Sequence, residues 1–200
     1  MSGKNIADLV IGELSGINWG ANNPNIYRTL AMQAVSKGIA NYTKNNWSIA
    51  AITVGTLTTP AGIVTPYTEK VRVNMLLGQA AILQTMLMST TMLAPNLIPI
   101  FTALMSWLSV PPWTVTITGG TALNPITGVG IATFPSITAM GTACLGEMSV
   151  SQPKSMNAAW SIMGKHIYNG LVANVIAPIP TVGSMGPSIY AGVTNCILRF

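Results

Sequence analysis

From Asn74 to Val110 the chain reads NMLLGQAAILQTMLMSTTMLAPNLIPIFTALMSWLSV, with no Lys, Arg, Asp or Glu in it. That is longer than the roughly 20 apolar residues a helix needs to cross a bilayer. The pattern in the rest of the chain decides how to read it. Three stretches begin at a proline and then place apolar residues at helical spacing. They are PNIYRTLAMQAVSKGIANY from Pro24, with Leu30, Ala34 and Ile39; PNLIPIFTALMSWLSV from Pro95, with Phe101, Leu104, Met105 and Leu108; and PKSMNAAWSIMGKHIYNGLV from Pro153, with Trp160, Met163, Ile167 and Leu171. Proline suits a first helical turn, where its missing N–H has no intrahelical partner to lose.

A shorter block precedes each stretch: LVIGEL ending at Leu14, MLLGQA ending at Ala80 and ACLGEM ending at Met148, with Gly12, Gly78 and Gly146 in register. Glycine within a helix costs about 1 kcal/mol relative to alanine. Its return predicts a helix in each block and a close approach by another backbone. After each stretch comes a β-rich part, beginning at Trp47 (WSIAAITVGTLTTPAGIVTP), Trp113 (WTVTITGGTALNPITGVGIATFP) and Asn174 (NVIAPIPTVGSMGPSIYAGV). Val115 and Ile117 alternate with threonines, the period of a half-covered strand, and Gly119-Gly120 with Asn124-Pro125 predicts a turn before a second strand.

The expectation is an α+β chain of three tandem repeats, each a helical pair followed by a β-hairpin or β-rich loop. The repeats are residues 1–66, 67–135 and 136–200 of one compact chain, with a period of roughly 65 residues. In this alignment Gln79 stands where the outer repeats have Glu13 and Glu147, and Lys37 and Lys165 fall against Ser106 or Trp107. A unit made to cross a bilayer would place those outer charges in it, at about 2.5 to 3.5 kcal/mol each. The uncharged run therefore reads as two core helices, broken near Ala94-Pro95 and covered by neighbouring repeats.

Composition sharpens this picture. Charged residues make up 6% of the chain against the roughly 25% usual in soluble domains, and mean hydropathy is +0.51. Between Arg72 and Glu147 no Lys, Arg, Asp or Glu occurs. The middle repeat cannot all face solvent without exposing an apolar patch beyond the few hundred Å² monomers tolerate. Symmetric self-association is the common remedy, and the expected subunit contacts include Trp107, Trp113, Val115 and Ile117. The net charge of +5 is scattered over single Lys and Arg residues, unlike a nucleic-acid footprint.

Catalytic chemistry finds little to work with. His166, the single histidine, reads as a polar residue at a helix flank, and Asp8, Glu13, Glu69 and Glu147 lie far apart in sequence. The repeat could bring Glu13 and Glu147 together, but Gln79 at the matching place points to a plain helix face. Cys144 and Cys196 sit in apolar surroundings without a CxxC spacing and read as small buried hydrophobes. GTLTTPAG, GGTALNPITGVG and GSMGP are glycine-rich but lack the Gly-Lys-Ser/Thr ending of a phosphate loop, so they read as turns. No catalytic, cofactor-binding or metal-binding residue is expected, and no cofactor. The opening MSGKNIADLV has no apolar run before a small-residue cleavage site, and no signal peptide is expected.

A helical pair with a central Leu-Gly step and a Thr/Gly/Val-rich β-tail, copied in tandem, resembles small structural proteins of contractile-tailed bacteriophage virions, notably baseplate-region components. The resemblance spans most of the chain and concerns pattern and composition. It implies a non-enzymatic virion component of the tail or baseplate, assembled in the host cytoplasm with further copies of itself and other virion structural proteins as partners. It also favours threefold or sixfold symmetry for the homo-oligomer. The alternative reading, which the apolar middle repeat keeps open, is a membrane-associated protein or small pore-former.

Overall fold

The computed structural model describes residues 3–18, 20, 24–89, 98–109, 113–121, 124–185 and 187–200. Helices α1 (Gly3–Ser15) and α2 (Pro24–Asn45) lead into strands β1 (Ser48–Thr59), β2 (Gly62–Glu69) and β3 (Val71–Leu76). Next come α3 (Ala80–Ser89), α4 (Ile98–Ser109), β4 (Thr114–Thr121) and β5 (Asn124–Thr133). The last third holds α5 (Ile137–Ser151), α6 (Met156–Val172), β6 (Val175–Ile176), β7 (Ile179–Met185) and β8 (Ser188–Arg199). Among the described residues the fold is α+β, with six helices and one curled antiparallel sheet.

Several local expectations need correction. MLLGQA is not a helix: Met75 and Leu76 end β3, and α3 starts only at Ala80. At Gly78, before that helix, a Cβ would lie 2.5 Å from the Trp107 ring, so the close neighbour there is a side chain and not a backbone. Gly12 and Gly146 are helical, yet an added Cβ at either would meet nothing within 4 Å, so neither marks a close backbone approach. That approach is at Gly38, where a Cβ would come within 2.7 Å of Val10 Cα and α2 crosses α1. Pro24 does open α2, but α6 starts three residues after Pro153, because Ser155 caps it by accepting from the Ala158 N–H at 3.1 Å. Gly119-Gly120 and Asn124-Pro125 lie within β4 and β5, which pair as far as Thr121 opposite Asn124. The helix start at Pro95 and the break at Ala94-Pro95 lie outside the described residues.

Helices α3 and α4 have 10 and 12 residues, roughly half the ~30 Å of a bilayer's hydrocarbon core at 1.5 Å per residue. Among the described residues no helix is long and apolar enough to cross a membrane. Instead Leu83, Leu87, Phe101, Leu104, Trp107 and Leu108 bury their side chains in the core. Each helix packs on the next in chain order and α6 packs back on α1, closing a ring of six.

The strand order is β2-β1-β8-β7-β5-β4-β3, all antiparallel, with β6 pairing the far end of β5. Only Lys70 separates β2 from β3, the two ends of that order. The sheet must therefore curl until its edges meet at this residue, and β3 does come up against β1.

Candidate functional site

Two kinds of place carry whatever this molecule does: the crossings between neighbouring helices and the two faces of the curled sheet. At the α1/α2 crossing, Lys37 Nζ lies 3.6 Å from Glu13 Oε2. At the α5/α6 crossing, Lys165 Nζ donates to Glu147 Oε2 at 2.6 Å, and His166 Nε2 lies 2.8 Å from the same oxygen. At α3/α4 the Trp107 indole N–H donates to the Gln79 carbonyl at 3.1 Å. A glutamate and a lysine thus touch across the first and last of these crossings, whereas the contact at Gln79 is made by its main-chain carbonyl just before α3 begins. Glu13 and Glu147 each face a lysine of the following helix, and they do not form a carboxylate pair.

His166 is the residue sequence reasoning placed wrongly. It is buried in α6, not set at a flank, and its Nδ1 meets no partner among the described residues. The hydrogen bond from Lys165, then that from His166, holds the Glu147 carboxyl below its usual range. One helical turn away Cys144 is fully buried, and burial, reinforced by the Glu147 charge, pushes its thiol up to about 11. Burial also raises Cys196. A thiol held protonated in this way is a poor nucleophile, so the cluster is an ion pair with a buried imidazole at its side. Among the described residues no three His, Cys, Asp or Glu side chains converge to hold a metal.

Alternation along the strands assigns each side chain to the inner or outer face. In β4 the apolar residues point in: Trp113, just before the strand, with Val115 and Ile117, are fully buried while Thr116 and Thr118 point out. In β1 and β8 both faces carry apolar residues. Thr53 and Thr194 point in beside Tyr190, Cys196 and Leu198, and Ile52, Val54, Val193 and Ile197 are exposed. The inward threonines satisfy one another, since Thr194 Oγ1 lies 2.8 Å from both Thr53 Oγ1 and Thr181 Oγ1. In β7 Val182 joins the outward set.

This corrects the expected interface. Trp107, Trp113, Val115 and Ile117 are all fully buried within the chain's own core. The Trp107 and Trp113 rings meet edge to face at 5.1 Å, and the Trp113 indole N–H donates to the Trp107 carbonyl at 3.3 Å. Their surface is consumed by packing inside one chain, leaving none for a second copy.

The chain matches no protein-family model, no curated protein and no solved structure. The glycine-rich loops add no phosphate cradle where they are described: at the β1/β2 turn Thr59 Oγ1 donates to the Gly62 carbonyl at 3.0 Å and accepts from the Ala61 N–H at 3.2 Å, closing the turn on itself.

Proposed function

We propose that the chain is a non-enzymatic structural component of a contractile-tailed phage particle, in the tail or baseplate, acting through protein–protein assembly. It is built of three tandem units, each a helical pair followed by a β-hairpin. Two contacts support the units: Glu13 with Lys37 and Glu147 with Lys165 join positions that the sequence alignment equates. Strand pairing follows the same cycle. Besides its own hairpin partner, β4 pairs β3 of the preceding unit, β7 pairs β5, and β1 pairs β8 of the last unit. In this reading β2 and β3 together form the first unit's second strand, so the boundary between the first two units lies after Leu76 and not at residue 66, which falls inside β2.

The observation that carries the assembly role is the outward apolar face of β1, β8 and β7, beside an interior where threonines are buried. A fold that buries hydroxyls and exposes valine and isoleucine is arranged for a covered exterior. The same face is what favours the second reading, a membrane-associated protein or small pore-former. Mass spectrometry of purified virions, with bilayer fractionation in parallel, separates the two. Recovery in particles supports the first reading, and recovery only in detergent-extracted bilayers overturns it.

A further inference from the structure

The outer face of the sheet is not uniform around its curl. On one side, β3 and β4 present Arg72, Asn74, Thr114, Thr116 and Thr118, with Leu76 at the end of β3 as the exposed apolar side chain among them. On the other, β1, β8, β7 and the adjoining β5 present Ile52, Val54, Val193, Ile197, Val182 and Val129. The registers make the second group one sector: Val54 is opposite Val193, Val193 is opposite Pro180, and Thr127 is opposite Val182. Lipid would surround a spanning barrel and require an apolar band on every strand. An apolar sector beside a polar one fits a discrete protein contact instead.

Two properties point to the occupant. The exposed valines and isoleucines of the sector present on the order of 800 Å², about what one partner contributes to a standard interface and more than a monomer tolerates. The outward side chains of β1, β5, β7 and β8 include no acid and one cation, Arg199, at the end of β8. A surface with almost no charge offers nothing to steer a charged partner and nothing to repel a copy of itself. We infer that the β1–β8–β7–β5 sector is the self-association surface, so that a second copy of this chain covers it, in place of the buried residues that the sequence pattern suggested. This inference rests on the assembly reading above and names its first partner.

Sedimentation velocity of the full chain across the micromolar range tests it. The unmodified protein is expected to sediment as an oligomer. Val193→Lys and Ile52→Lys, both at exposed positions, should each weaken association about tenfold or more with the circular dichroism spectrum unchanged. Thr118→Lys, in the polar sector, should leave association intact. Should a lysine variant fail to fold, the double variant Ile52→Thr with Val193→Thr keeps β-branched side chains at both places and should still weaken association. A monomer at every concentration, or equal loss from Thr118→Lys, overturns the proposal. So does binding to phosphatidylcholine vesicles that Val193→Lys abolishes in a chain that does not self-associate. Association through this sector by a chain absent from virions would defeat the phage reading alone, while a monomeric chain found in virions would defeat this surface alone.

Discussion

The α1/α2 and α5/α6 crossings share a glutamate and a lysine but fill the space between their helices in opposite ways. At α1/α2 the residue after the lysine is Gly38, and Val10 lies so close that a Cβ has no room. At α5/α6 the residue after the lysine is His166, inserted and bonded to Glu147, with Cys144 buried one turn away on the carboxylate's own helix. One crossing is held by close backbone approach and the other by a buried polar ring. The lesson is that an ion pair seen in both places is not what sets helix spacing; the neighbouring residue sets it.

Variants can break that comparison at either end. Gly38→His puts the α5/α6 solution where Val10 forbids it, and overpacking at the upper end of its range, about 3 kcal/mol, is expected. Chemical denaturation should show a reduced midpoint, and a midpoint within error of the parent would mean the crossing yields freely. His166→Ala removes a buried ring and one of the contacts to Glu147, for an expected loss of about 2 kcal/mol. The Lys165 contact should survive it, leaving the helix content seen by circular dichroism unchanged.

Proton linkage gives a third handle, and its sign follows from the raised thiol and phenol. Cys144 is pushed from 9.0 up to about 11 and Tyr42 from 10.0 up to about 12, in each case first by burial. The folded chain holds protons that the unfolded chain releases, so stability is full below pH 9 and falls as pH rises from there toward 12. Thermal melts should show this decline. Cys144→Val, which copies Val10 of the other crossing, should reduce its first part and leave the share of the raised Cys196 thiol. At the acid end the lowered Glu147 carboxyl predicts the reverse, with stability lost as pH falls below 4.5. Smallest of all should be Lys37→Ala, because that pair is 3.6 Å apart and its lysine half exposed. About 0.5 kcal/mol or less is expected, and a much larger loss in melting would show that the ion pair, not Gly38, governs the α1/α2 crossing.

Much of this architecture was legible along the chain because it depends on neighbours in sequence. The helical spacing of Trp160, Met163, Ile167 and Leu171 does mark the buried stripe of α6. The β-rich parts after Trp47 and Trp113 do become paired strands. MLLGQA misled because its helical spacing is short and apolar, and the pairing of Met75 with Val115 draws its first half into the sheet. His166 misled because one polar residue beside a lysine looks solvated, and only the approach of α5 supplies the Glu147 oxygen that lets it be buried.

The sequence by itself determined the order of helices and strands, the scarcity of charge and the demand that apolar surface be covered, since all three follow from local pattern and composition. The tertiary structure alone decided what covers what. A period of two states which residues share a strand face, but not which face lies inside. In β4 the curl turns Val115 and Ile117 inward, whereas in β1 and β8 it turns threonines inward, where Thr53, Thr194 and Thr181 satisfy one another. The partners that make those hydroxyls tolerable come from strands up to 141 residues apart, and nothing local to any one strand could announce them.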